Sequence, residues 1–450
     1  MATDSGESLS ATKNESNTHT HIQTKMSEPS EFFSSVLFGG ICCLLAIVSM
    51  AIIACLRWRT MWMATKAARA ASSRITPESD AEPSSRRHPP FLSIVIPTLN
   101  DAEVLETHLP RFLKQTSREP FEVIVADQGS TDATTDLIER LQTTCPHLRS
   151  TFIPDSSRFI ELRKLAITLG IRAARSQWVI IVEPDSQPVS NGWVAAWERT
   201  LTDDADFVLA YSNYESDHTS HARRMIFERL MRQARRYAAW RKGRVTGSET
   251  GNYAVRRDWF IGELGFADSL CVPFGEDSIF ASLHAEAGRT LVTFSSALRL
   301  TLDLPSEREA QNRRVCDEEV RRHLSRWSRM WQRLHRFAAW SAQLLFLTIA
   351  VYAVIRIASD ITLGTYSSQF ILTDIVMTLL SLLGVSLSCF MAGRMAQAFD
   401  EPPFQMSLMA QVVLAPWRTL RLRMMHYARW RNFVRNYVRQ TDPSASRSDI

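Results

Sequence analysis

No CxxC pair and no metal-ligand spacing connects the seven cysteines of this 450-residue chain, which excludes a disulfide framework and a structural zinc site. Cys42, Cys43, Cys55 and Cys389 fall in apolar runs, leaving only Cys145, Cys271 and Cys316 outside them. No Ser/His/Asp or Cys/His arrangement suggests a covalent intermediate. Charge is missing from "VLFGGICCLLAIVSMAIIACL", residues 36–56, and from residues 337–355, and it is nearly missing from residues 370–392. Each run is long enough, at about 1.5 Å per residue, to cross a hydrocarbon layer of roughly 30 Å, so three spanning helices are expected.

The basic residues orient those spans. Arg57, Arg59, Lys66, Arg69 and Arg74 follow the first run, Arg326, Arg329, Arg333 and Arg336 precede the second, and Arg394 follows the third. The connector between the second and third has neither Lys nor Arg. The positive-inside bias therefore places the N-terminal tail outside and the long middle of the chain in the cytoplasm. Residues 1–30 are Ser/Thr-rich and read as a disordered tail, and residues 57–90 as a juxtamembrane segment and linker. The net charge of +5 comes largely from these membrane-flanking clusters, which indicates anionic lipid as the partner and not nucleic acid. With 45% hydrophobic and 22% charged residues, the chain as a whole has the composition of a folded protein.

Between residues 91 and 320 the pattern alternates. "FLSIVIP", "FEVIVAD", "RSTFIP" and "WVIIV" are short β-branched runs, and helical apolar spacing follows each of the first three, as at Leu105, Leu109, Phe112 and Leu113. That is an α/β domain with a doubly wound sheet, in which ligands collect beyond the carboxyl ends of the strands. Pro97, Asp127 and Asp185 fall at such ends. In "VIIVEPDSQP" the strand stops at Glu183 and Asp185, a pair suited to Mg²⁺ or Mn²⁺, which take oxygen ligands and share their shell with substrate phosphates. Further on, Glu276 and Asp277 in "VPFGEDSIFASL" precede a helix, where an acid can cap the positive end or serve as a general base.

Taken in order, "SIVIPTLND", "FEVIVADQGSTDAT", "RKLAITLGIRAARSQWVIIVEPDSQPVSNGW" and "GEDSIF" resemble the membrane-anchored family 2 glycosyltransferases of bacteria, whose catalytic domain has the GT-A fold. The resemblance implies a GT-A nucleotide-sugar-binding domain inserted between transmembrane helices of the bacterial inner membrane. It assigns Asp127, Pro97, Thr98, Ser130, Lys164 and Glu183 to the nucleotide-sugar donor, Asp185 to the metal, and the acidic pair Glu276 and Asp277 to catalysis, with Asp277 as base. The chain departs from the family's D-x-D by placing Glu183 first, and Gln128 stands where a second Asp often follows Asp127. An inverting transfer of sugar, in cell-envelope or polysaccharide synthesis, to a lipid-linked or glycan acceptor is the expected activity. A processive synthase and an inactive nucleotide-binding scaffold are the alternatives.

Gly251 and Asn252, in the Gly-rich turn around Glu249, are candidates for an acceptor-side wall. Residues 321–336 alternate Arg with Trp, Leu and Met, as an interfacial amphipathic helix would, and "HLSRW" within them resembles the Q-x-x-R-W element of processive synthases, making His323, Arg326 and Trp327 acceptor-side candidates. Residues 404–437 read as a second basic surface segment. The helix expected over His221–Arg244 is basic and amphipathic; it rests on the acidic membrane surface or packs beside the sheet, with holding a lipid-linked phosphate as the further alternative.

Overall fold

The computed structural model describes residues 55–71, 92–153, 162–249, 251–270, 272, 274–337 and 386–401, with isolated positions elsewhere. The chain enters as helix α1 (55–71) and then alternates through β1 (Leu92–Thr98), α2 (Ala102–Leu113), β2 (Phe121–Asp127), α3 (Thr134–Thr144), β3 (Leu148–Phe152), α4 (Leu162–Ala173) and β4 (Trp178–Val182). These strands are parallel, in the order β3-β2-β1-β4. The sheet continues through β8 (Asn252–Arg256), β6 (Phe207–Leu209) and β9 (Thr290–Val292), and β8 alone runs antiparallel to its neighbours.

Alternation along the strands supplies two cores. Leu92, Ile94, Ile96, Val123, Val125, Ile180 and Val182 face α2, α3 and α5 (Trp193–Thr200), where Leu105, Phe112, Leu137 and Trp197 meet them. Val95, Ile124, Val179 and Ile181 face the other way, onto Ala166, Ile167 and Ile171 of α4, Phe260 of α7 (Arg257–Gly262) and Phe280 of α8 (Glu276–His284). Each fully buried aliphatic or aromatic side chain contributes about 1.5–3 kcal/mol, so both faces of the sheet are held shut and its strand ends are fixed.

A second, three-stranded sheet is built from β5 (Ser186–Pro188), β10 (Leu300–Leu302) and β7 (Ser212–Tyr214), with β10 in the middle. Beside it run α6 (Ser220–Trp240), started by the Thr219 hydroxyl accepting from the amide of Ala222, and α9 (Glu307–His323), started by a capping box between Ser306 and Glu309. A third core joins Met61, Ala64 and Ala68 of α1, Met225, Ile226 and Leu230 of α6, and Met395, Ala396 and Phe399 at the end of α11 (386–398).

Two expectations change. Residues 321–336 do not form one helix: α9 ends at His323, and α10 (326–337) restarts after Ser325, whose hydroxyl accepts from the amide of Ser328. The break exists because Leu324 turns into a small core with Val272, Ile279 and Val320. Residues 57–71, expected as part of a juxtamembrane linker, form most of helix α1 and pack on the domain. The basic helix α6 packs beside the small sheet. Among the described residues no helix is long and apolar enough to cross a membrane. The expected spans at 36–56, 337–355 and 370–392 lie largely outside the described residues, as do the tail 1–30 and most of 404–437.

Candidate active site

β1 and β2 end in register, Thr98 opposite Asp127. Their following turns are stitched together: the amide of Asn100 donates to the Ser130 hydroxyl (2.9 Å), the amide of Thr131 to the Asn100 side chain (2.8 Å), and the amide of Ala102 to Asp132 (3.1 Å). Asp127 accepts from the amide and the hydroxyl of Ser130, at 3.0 and 2.6 Å. Pro97 and Thr98 are buried beneath this surface, and the Thr98 hydroxyl donates to Asp101 at 3.0 Å. The result is a rigid polar shelf at the carboxyl edge of the sheet, formed by Asp127, Ser130 and the strand end they share with Thr98.

β4 delivers Glu183 and Asp185 next to that shelf. The chain turns sharply after β4, with both the amide and the hydroxyl of Ser186 donating to the Glu183 carbonyl at 3.2 and 2.6 Å, and then enters the small sheet. That sheet brings in Asp303, whose amide donates to the Asp185 carbonyl at 2.9 Å and whose carboxylate meets the ring of His108 at 2.9 Å. Burial first, then Glu183 and Asp303, push the Asp185 carboxyl up to about 6, while Arg313, 3.6 Å away, opposes them. Negative charge is thus gathered where a hard cation would relieve it. Asp185 fits such an ion, with Asp303 close by. Among the described residues no three His, Cys, Asp or Glu side chains converge on one metal position, so water and substrate phosphates would complete the shell.

Glu183 is placed differently from Asp185. Arg163 reaches it at 2.5 Å and with its Nε reaches Glu276 at 2.8 Å, so one guanidinium bridges the acid after β4 and the acid that opens α8. Gly251, φ +86°, lies directly behind: a Cβ there would come within 2.4 Å of Glu183 Cγ. Asp277 is buried and receives the Ser248 hydroxyl on one oxygen, while its other oxygen has no hydrogen-bond partner. Burial, then the neighbouring Glu276, push its pKa up to about 7. A carboxylate with a free lone pair and a pKa near working pH is chemically equipped as a general base. A cavity of about 1060 Å³ opens over it, and its lining includes Arg163, Glu183, Tyr214 and residues of α9 and α10.

Residues 93–262 match the family model described as glycosyl transferase family 2. The chain carries a family 2 glycosyltransferase domain. Relatives agree over short stretches. It is 30% identical to a chondroitin synthase of Pasteurella multocida (strain Pm70) over 118 residues, which are 26% of this chain and 12% of that protein. It is 47% identical to a validoxylamine A glucosyltransferase of Streptomyces hygroscopicus subsp. jinggangensis over 57 residues, 12% of this chain and 14% of that one. The fold is also similar to a mannosyltransferase of Pyrobaculum calidifontis solved with GDP-Man and Mn²⁺, at a TM-score of 0.48 and 16% identity, covering 78% of this chain and 97% of the other.

Other residues of the family 2 domain lie away from the roles expected for them. Lys164 is not offered to a nucleotide: it is fully buried, and its ammonium donates to the carbonyls of Ser269 and Val272, which fastens the loop before α8 onto α4. Asn252 is not an acceptor wall, because its amide group donates inward to the carbonyls of Tyr211 (2.8 Å) and Leu298 (2.9 Å). His323 ends α9 and contacts the Glu319 carbonyl at 3.2 Å, Arg326 is exposed, and Trp327 stacks on Trp331 with Arg244 over its ring. Arg163, Ser248, Asp303 and Arg313 escape sequence reasoning. Each is an ordinary helix or loop residue until the fold sets it against an acid from a distant segment.

Proposed function

We propose that the chain transfers a sugar from a nucleotide-sugar donor, a UDP-sugar in the first instance, to an acceptor hydroxyl, with a divalent cation and with inversion. The single observation that carries this is Asp277, a buried carboxylate with one oxygen unpartnered and a raised pKa, opening onto the same cavity as the Glu183 turn. The shelf at Asp127 and Ser130 receives the nucleoside, and Asp185 with Asp303 faces the diphosphate. A divalent cation held there supplies Lewis-acid neutralisation of the departing diphosphate. Arg163 ties Glu183 to Glu276 and so keeps the donor and acceptor halves in fixed relation. Asp277 takes the acceptor proton as the hydroxyl oxygen bonds to the anomeric carbon and the bond from that carbon to the nucleoside diphosphate breaks. A single base acting on the acceptor hydroxyl corresponds to direct displacement.

The chain is further proposed to be a multi-pass protein of the bacterial inner membrane, with this domain cytoplasmic and the N-terminus outside, acting on a membrane-associated glycan acceptor. In support, α10 exposes Met330, Leu334 and Phe337 among Arg326, Arg329 and Arg333, the composition of a helix lying at a lipid surface. The first test is thermal stabilisation of the purified chain by UDP, GDP and CDP, with and without Mn²⁺, in wild type and Asp185→Asn. A Mn²⁺-dependent shift that Asp185→Asn abolishes is expected. Silence with all three nucleotides would remove the donor reading, and binding without transfer over a broad donor and acceptor panel would favour the scaffold.

A further inference from the structure

α6, α9 and α10 all contribute to the lining of the cavity beside Asp277, and that lining is rich in arginine. Most of that charge is engaged. Glu249 accepts from Arg232 at 2.8 Å and from Arg236 and stands 3.7 Å from Arg229; burial pushes its pKa up, but the three guanidiniums outweigh that and hold it well below the usual carboxylate range. Glu318 pairs with Arg321, and with Arg336 at 3.2 Å.

Two lining arginines are not engaged: Arg308, which is exposed, and Arg235, which is half-buried. Among the described residues Arg235 makes neither a hydrogen bond nor an ion pair. The charged groups that act on it most strongly are Arg232, Arg321, Arg57 and Arg236, all cationic. Burial and then these like charges bring its pKa down to about 9. A half-buried guanidinium among like charges is destabilising unless an anion reaches it. Its planar fork matches phosphate oxygens in particular. The field of Arg236, one residue on, extends to Asp277, so this anion-seeking wall and the base belong to one cavity.

We propose that the cavity holds the acceptor through a phosphate group seated on Arg235, with Arg232, Arg236 and Arg321 around it, while the acceptor hydroxyl points to Asp277. The role given to the hydroxyl rests on Asp277 being the base. The phosphate site itself stands on Arg235 and its surroundings. A phosphate carried on a lipid and free phosphate share this chemistry, and the experiment separates them.

Binding of farnesyl phosphate, farnesol and inorganic phosphate is measured on the full chain in phosphatidylcholine nanodiscs, for wild type, Arg235→Gln and Arg235→Lys, with a parallel titration of UDP and Mn²⁺. Farnesyl phosphate is expected to bind more tightly than either farnesol or inorganic phosphate. Arg235→Gln should weaken it on the order of tenfold, the loss of a charge-assisted contact, and Arg235→Lys should keep most of it. UDP affinity should be the same in all three proteins. Without ligand, Arg235→Gln should melt no lower than wild type, because it removes repulsion and breaks no pair.

Farnesol binding as tightly as its phosphate, unchanged affinity in Arg235→Gln, or UDP affinity lost along with it would overturn the proposal. So would inorganic phosphate matching farnesyl phosphate, which would mean a free-anion site, or a lowered melting temperature, which would make Arg235 structural. Arg235-dependent binding of farnesyl phosphate in a chain that ignores UDP and Mn²⁺ would sink the transferase reading and leave the phosphate site standing.

Discussion

Asp277 accepts a proton only in its ionised form, so its raised pKa sets an acid limit on the reaction. The rate under kcat/KM conditions should climb with pH through about 7 and level off above it, and Asp277→Asn should lower it by a factor on the order of 10²–10⁴, the usual worth of a general base. A pH–rate profile checks both. Stability runs the other way. The folded protein holds this proton up to about 7, whereas an unfolded aspartate releases it near ~3.9. The native state therefore binds more protons between those values, and stability is lost as pH rises through them. Asp277→Asn removes that loss, so its gain in Tm over wild type should be larger at pH 8 than at pH 4. Lys164 is the contrasting case. Lys164→Met leaves two buried carbonyls without their donor, which costs about 1–3 kcal/mol each, so Tm should fall while UDP affinity holds. A loss of UDP affinity without a fall in Tm would restore its expected nucleotide role. Asp277 was legible because an acid pair before a helix is a local pattern, whereas the partners of Lys164 lie more than a hundred residues away.

Among the elements, the seat of α8 depends on a close approach. Gly275, φ +71°, lies so near α9 that a Cβ would meet Val320 at 2.3 Å. Gly275→Ala should destabilise by about 1–3 kcal/mol through strain and overpacking and reduce transfer by shifting Asp277. Adding Val320→Ala should recover part of the stability, which denaturant unfolding of the single and double variants would measure. The long strands β1, β2 and β4 could be read from their β-branched runs, and α4 and α6 from their helical spacing. The strands β5, β7 and β10 could not: "SQP", "SNY" and "LTL" have no period to detect, and only their pairing makes them strands. The break between α9 and α10 was hidden for a related reason, since the basic and aromatic pattern continues across it while Leu324 buries itself elsewhere.

At the level of the whole molecule, the catalytic domain does not end where its sequence motif ends. α1 and α11 cover the apolar side of α6, and Glu401, just past α11, accepts from Tyr211 at 2.6 Å, from Asn213 at 2.9 Å and from Arg299 at 3.0 Å. A chain cut to residues 91–337 would leave Met225, Ile226 and Phe294 without the α1 and α11 side chains now packed on them. It should aggregate or melt well below the full chain, and adding residues 55–90 and 386–401 back should restore solubility, as size-exclusion chromatography and thermal melts would show.

The sequence by itself determined the α/β alternation, the acids at the strand ends and the pair that opens α8, because strand period, helix spacing and local acid pairs are written in neighbouring residues. Only the tertiary structure decided that Arg163 joins Glu183 to Glu276, that Asp303 stands beside Asp185, that Lys164 and Asn252 turn inward, and that Arg235 is left, among the described residues, without an ion-pair partner. Those pairings unite segments from tens to more than a hundred residues apart, and burial, which sets the charge state of each group, exists only once the chain has folded.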